Sequence, residues 1–219
     1  MASFDPQLLP IESIAGEARL QAERMQADWL RARFAQPPPW MPEINDESHL
    51  RTNTARAAAV LMPIVMRVNG PTLLFTQRTA DLRDHPGQVS FPGGRSELSD
   101  HSPIDTALRE TEEEIGLARK HVEVIGVLPE YLTGTGYRVT PVAGLIHPPF
   151  DLVPDAREVA EIFEVPLSFL MDGIHHQRRS AQLPGDQGKR TFYTMPYQRF
   201  FIWGATAGML RNLFHFLRS

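Results

Sequence analysis

Two hydrophobic periods alternate along the chain. Residues 57–68 and 72–76 are nearly continuous apolar runs, the pattern of buried strands, and Asn69-Gly70 between them predicts a hairpin turn. Residues 122–128 and 139–146 read as further strands. Between these pairs the period changes: at about 100° per residue, Ile104, Leu108, Thr111 and Ile115 fall on one stripe of a helix and predict its buried face. Ser102 caps this helix, Pro103 suits its first position, Asp105 sits where a capping-box acid complements the dipole, and Gly116 stops it. Upstream, residues 13–36 show helical spacing through Ile14, Leu20, Trp29, Leu30 and Phe34, ended by Pro37-Pro38-Pro39. This predicts an accessory helix that covers the sheet or joins a second copy of the chain in a homodimer. Residues 171–190 hold few apolar side chains and carry Arg178, Arg179, Lys189 and Arg190 around Pro184-Gly185, the pattern of a long solvated hairpin loop. Residues 201–210, FIWGATAGML, read as a buried helix. Pattern alone gives an α+β fold with helices on both sides of a sheet.

The predicted helix also carries the chemistry. Glu110, Glu113 and Glu114 cluster on a face away from the apolar stripe, whereas Glu112 points off the cluster. Like charges one turn apart repel, and Arg109 is the cation placed to offset them. Hard carboxylate oxygens suit Mg²⁺ or Mn²⁺, ions that bridge a protein's few acids to a substrate's phosphates. Taken alone, an EEE run reads first as a solvated acidic face. Its company changes the weighting, because a Gly-rich turn, FPGG, leads into it.

In residues 91–117 the chain resembles the Nudix hydrolases, whose signature is G-x5-E-x7-R-E-U-x-E-E-x-G-U with U aliphatic. Arg109, Glu110, Glu113, Glu114, Gly116 and Leu117 match it. The glycine end departs: counted from Gly94 the acid is Asp100, Arg109 comes one residue late, and Thr111 replaces an aliphatic residue. The longer loop with Asp is similar to the coenzyme A pyrophosphatase branch of the family. Residues 73–94, LLFTQRTADLRDHPGQVSFPGG, resemble the additional signature of that branch, with Thr79 standing where Ser or Ala is usual. The first part of this block reads as a strand end, and residues 84–94 read as a loop whose backbone can approach a ligand.

The resemblance implies an α/β/α sandwich around a mixed sheet, with residues 1–50 as an N-terminal helical extension and residues 51–219 as the Nudix domain. It makes Arg78, Arg83, His85 and Gln88 donors near the phosphates, although each singly also reads as an ordinary loop residue. Gly93 and Gly94 give the close turn; Glu110, Glu113 and Glu114 hold the metal; Arg109 orients a neighbouring carboxylate. Residues 131–141 and 157–167 are similar to later family segments. The second supplies Glu158 as a further ligand or as the base that orients water, with Glu161 as second candidate. The implied reaction is hydrolysis of coenzyme A to adenosine 3′,5′-bisphosphate and 4′-phosphopantetheine. Two other readings stay open: a Nudix enzyme for ADP-ribose or a dinucleotide, and a non-catalytic nucleotide sensor.

Composition narrows the setting. With 219 residues and 42% apolar content the chain can bury one sizeable core, and a net charge of −4 argues against a general nucleic-acid surface. The absence of Cys excludes disulfides and thiolate catalysis. No apolar run approaches the ~18 residues of a membrane span, and the N-terminus lacks a signal-peptide pattern, so a cytoplasmic enzyme acting on a small molecule is the expectation.

Overall fold

The computed structural model describes residues 4–43, 55–82, 85–182 and 188–219. In chain order the elements are β1 (Ser13–Ile14), α1 (Ala27–Ala35), β2 (Arg56–Val65), β3 (Thr72–Arg78), β4 (Val89–Ser90), β5 (Gly93–Arg95) and α2 (Pro103–Ile115). There follow β6 (Val122–Val127), β7 (Tyr131–Leu132), β8 (Tyr137–Ile146), β9 (Val159–Pro166), the single turn α3 (Leu167–Leu170), β10 (Gln177–Gln182), β11 (Lys189–Tyr197), β12 (Phe200–Trp203) and α4 (Gly204–Arg218).

The central strand is β2. It pairs in parallel with β8 along its whole length, from Arg56↔Tyr137 to Val65↔Ile146. Its other edge is shared: β5 takes Ala58 to Val60 and β3 takes Ile64 and Val65. Pro63 lies between these two pairings. The N–H of Leu61 points to that edge, donating to the Pro92 carbonyl, so the donor that Pro63 lacks falls in the gap. With β6, β7, β4 and β9 attached, the result is an eight-stranded mixed sheet.

Strand alternation divides the apolar residues between two layers. On one face Ala59, Leu61, Leu74, Val142 and Ile146 pack with Ala107 and Ile115 of α2. On the other, Met62, Ile64, Leu73, Phe75 and Leu145 pack with Leu30 of α1 and with Leu210, Leu213 and Phe214 of α4. The fold is therefore the α/β/α sandwich around a mixed sheet expected from the sequence. Among the described residues no helix is long and apolar enough to cross a membrane.

A second sheet, ordered β1-β10-β11-β12, was not legible in the sequence. The basic segment read as a solvated hairpin loop is instead strand β10, paired with β11 from Gln177↔Thr194 to Gln182↔Lys189. Its cations are engaged: Arg179 donates to the Gln7 carbonyl at 2.9 Å, and Lys189 pairs with Glu12 at 2.7 Å. The turn at Pro184-Gly185 lies outside the described residues.

Three other expectations are corrected. The N-terminal helix runs only from Ala27 to Ala35, because backbone groups upstream bond to the body of the protein: Gly16 N–H to Gly173 O, Leu20 N–H to Met171 O. Ser13 and Ile14 form a sheet edge with β10, and Ile14 is 53% exposed where a helical stripe would bury it. The FIWGATAGML segment begins as β12 and becomes helix only at Gly204, whose φ of 61° marks the change. The connection from β2 to β3 is longer than a two-residue hairpin, Val65 standing opposite Thr72, with Gly70 at φ 111°.

The N-terminal segment is fastened to α4 through Arg211, whose side chain is 6% exposed. It pairs with Glu17 on two nitrogens, with Glu43 at 3.1 Å, and lies 3.2 Å from Nδ1 of His176. Nε2 of His176 faces the Leu170 carbonyl at 2.8 Å and donates to it, so Nδ1 accepts from Arg211 and the ring is neutral. Burial holds that imidazole down to about 4. Replacing Arg211 by Ala strands Glu17 and Glu43, and the expected cost is about 3 kcal/mol, measured as a lower urea midpoint with an unchanged m-value.

Candidate active site

The site begins with the seating of α2. Ser102 accepts the Asp105 N–H at 3.1 Å, Pro103 occupies the first turn, and Gly116 ends the helix at φ 68° with its N–H on the Glu112 carbonyl. One side of α2 lies on the sheet as expected, with Thr111 and Ile115 buried and Ile104 and Leu108 half-buried. A second side is also covered, because part of the predicted glycine loop is strand β5. Gly93, at φ 147°, has no room for a Cβ against Ala59 and Val60 of β2, and a Cβ on Gly94 would enter the Glu110 carboxylate. Backbone of β5 therefore meets the Glu110 and Glu114 side chains of α2 with no side chain of its own in between.

This second contact corrects the expectation for Glu114. Spacing places it on an open acidic face, yet it is 7% exposed, because the side of α2 that carries it is closed by β5. Its carboxylate accepts the Gly93 N–H at 3.1 Å. Burial pushes its pKa up to about 7; the Gly93 N–H and Arg78 pull it down, while Glu110 and Glu158 add repulsion. Glu110 is also raised, chiefly by burial, with Glu113 and Glu158 contributing. Glu113 is open to solvent at 61% side-chain exposure. Glu112, excluded from the cluster, pairs instead with Arg119 at 3.6 Å.

Arg109 organises the acids. It donates through Nε and Nη2 to the two Asp100 oxygens at 2.9 and 3.0 Å, to Glu113 at 3.1 Å and to the Arg95 carbonyl at 3.2 Å, and it lies 2.9 Å from Glu110. Asp100, whose role the sequence left unassigned, is thus the residue that locks the arginine. The Arg109 guanidinium, the Glu97 N–H and the Thr106 hydroxyl together hold its carboxyl well below the usual range. The signal was its place in the motif, where an acid is required.

Two loops close the surroundings. Arg78 ends β3, and its Nε is buried without a hydrogen-bond partner among the described residues. Its N–H donates to the Gln88 carbonyl, and Gln88 N–H donates to the carbonyl of His85, which sits at φ 58°. Arg83 lies outside the described residues. Glu158 is exposed in a turn whose Asp155 N–H donates to the Glu114 carbonyl at 2.8 Å. Residues 157–167 are loop, then strand β9 and the short α3, in place of the expected loop and helix. Alternation along β9 puts Glu161 on the face of Phe163 and Val165, opposite α2, where it pairs with Arg199. The structure therefore brings Arg78, Arg109, Glu110, Glu114 and Glu158 together and leaves Glu161 apart. Among the described residues no three acidic or imidazole groups stand ready-spaced around a metal position, and Glu110 is directed to Arg109.

A family model described as the NUDIX domain matches residues 55–168. A protein of Citrobacter koseri, named as an uncharacterized Nudix hydrolase, NudL, is 44% identical over 172 residues, 78% of this chain and 86% of its own length. The protein of the same name from Pectobacterium atrosepticum is 43% identical over 160 residues, covering 72% and 81%. A solved structure, the Nudix hydrolase RenU of M. smegmatis, aligns at 25% identity with a TM-score of 0.43 over 52% of this chain and 71% of that one. The domain match over residues 55–168 and the extent of the two NudL identities, on a helix seated and charged as described, place the chain in the Nudix hydrolase family.

Proposed function

We propose that the chain hydrolyses the diphosphate of coenzyme A or an acyl derivative, releasing adenosine 3′,5′-bisphosphate and 4′-phosphopantetheine or its acyl form. Membership of the family makes it a hydrolase of a nucleoside diphosphate derivative. The finer assignment is supported by residues 73–94, whose pattern joins Arg78, His85 and Gln88 to the glycine strand. The observation that carries the chemistry is the buried Glu114 carboxylate, flanked by Glu110 and Glu158 and by Arg78, whose Nε has no hydrogen-bond partner among the described residues.

These residues fit a divalent cation. A buried carboxylate whose charge is disfavoured by burial and by two further acids gains most from a cation beside it. Glu110, Glu113 and Glu114 would supply hard oxygen donors of the kind that Mg²⁺ or Mn²⁺ takes, and Glu110 would exchange its pairing with Arg109 for that role. When bound, it lowers the pKa of water and neutralises charge gathering on the phosphate oxygens. The chain's own groups do the rest. Glu158 orients the water that attacks phosphorus, Arg78 turns its free Nε–H to a phosphate oxygen, and His85 and Gln88 border the nucleotide. Arg109 keeps the acid face in register by remaining on Asp100.

Glu114→Gln tests the centre. With metal, turnover is expected to fall roughly 10³-fold, the scale of losing a metal-assisted or acid–base group; a wild-type rate removes Glu114 from the mechanism. Without metal the sign reverses for stability. The folded-state pKa of about 7 lies above the ordinary 4.5, so the folded protein disfavours the charged form. The penalty is absent below the ordinary value and grows as pH rises toward 7. In EDTA near pH ~8 the Gln variant should melt roughly 5 °C higher than wild type, and near pH ~4.5 the two should coincide.

The substrate is tested by mass spectrometry of protein incubated with coenzyme A, acetyl-coenzyme A, ADP-ribose and a dinucleoside polyphosphate, each with Mg²⁺, Mn²⁺ or EDTA. Metal-dependent release of adenosine 3′,5′-bisphosphate ahead of the other products is expected. Cleavage of ADP-ribose alone reassigns the substrate, and tight binding without cleavage of any compound makes the chain a sensor.

A further inference from the structure

Thr79 is the one residue of the 73–94 block that departs from its pattern, and it sits where three segments meet. Its N–H donates to the Glu158 carbonyl at 2.9 Å, and its carbonyl accepts the Gly87 N–H at 3.3 Å. Its hydroxyl donates to the Arg157 carbonyl at 3.1 Å. One residue thus ties the end of β3 both to the turn that carries Glu158 and to the loop that carries His85 and Gln88.

Hydrogen bonds, not packing, hold that turn. Ala156, Arg157 and Glu158 are all exposed. The ladder between β3 and β9 is regular up to Gln77↔Glu161 and then shifts between Gln77 and Arg78, just before Glu158. Beyond the shift, the turn is gripped on one side by Asp155 N–H on the Glu114 carbonyl at 2.8 Å and on the other by Thr79. A β-branched side chain has few χ1 states, so its hydroxyl stays aimed at Arg157 with little further loss of freedom.

We propose that Thr79 is a positioning residue, whose hydroxyl, through the Arg157 carbonyl, sets Glu158 against Glu110 and Glu114. This rests on the role given above to Glu158. An Ala at position 79 keeps both backbone bonds, including the one to the substrate loop, and loses only the hydroxyl bond. The effect is therefore directed at the turn of Glu158 and not at the loop of His85.

The test is a four-protein comparison with the diphosphate that the substrate panel shows to be cleaved fastest: Thr79→Ala, Thr79→Ser, Glu158→Gln, and Thr79→Ala with Glu158→Gln. Loss of one hydrogen bond that places a reacting group is expected to lower kcat roughly tenfold, with KM and the unfolding midpoint unchanged. Thr79→Ser should recover the rate. On the Glu158→Gln background Thr79→Ala should cost nothing more, since it acts through that carboxylate. Three results overturn the proposal: Thr79→Ala at the wild-type rate beside an impaired Glu158→Gln, a Ser variant as slow as Ala, or losses that multiply in the double variant. A Glu158→Gln protein at full rate overturns the role of Glu158 and the proposal with it.

Discussion

The close approach of α2 to β5 is the constraint on which the rest of the site depends. With no side chain on Gly93 or Gly94, strand and helix meet backbone to side chain, and a β-carbon at either position collides with β2 or with Glu110. That proximity takes Glu114 out of water while leaving Glu113, one residue away, in it. One helix thus presents neighbouring acids in unlike environments. The difference comes from what lies opposite each residue, not from the residue type.

Burying acids requires compensation, and the molecule supplies it asymmetrically. Asp100 matches Arg109 in a two-pronged pair, so the guanidinium is fixed before it reaches Glu110 and Glu113. Glu114 receives a single backbone N–H and a more distant arginine. The contrast with Arg211 is instructive. There the acids Glu17 and Glu43 surround one buried cation, and the network joins the N-terminal segment to α4 without an unmatched group at its centre. The network at Arg211 closes on itself, whereas at α2 the buried Glu114 keeps a single backbone donor.

Most of the sandwich was legible because its signals are local. The caps of α2, the apolar runs of β2, β3, β6 and β8, and the stop at Gly116 each follow from a few adjacent residues. The second sheet was not, since β10 has only modest apolar content and exists because Arg179 and Ser180 find partners in the N-terminal segment. For the same reason residues 13–36 looked helical: their spacing was real, but Gly16 and Leu20 bond to distant carbonyls that no local pattern reveals. In the site, the acids were legible from the helix and the burial of Glu114 was not, because β5 was hidden in a Gly-Pro stretch that reads as loop. Thr79 carried a visible signal, a departure from pattern, whose meaning needed the fold.

The long parallel pairing of β2 with β8 has a consequence for when the site comes into being. Parallel neighbours require a crossover, and here the crossover contains β3, β5 and α2 themselves. The helix and its caps are local and can form early, but β9, which brings Glu158 to Thr79, follows β8 in the chain and pairs back to β3 across everything between. Non-local closure of this kind is slow relative to helix formation. The acid-bearing helix is therefore held by local contacts, whereas the turn of Glu158 is joined to it only by the docking of β9, the last strand of the large sheet.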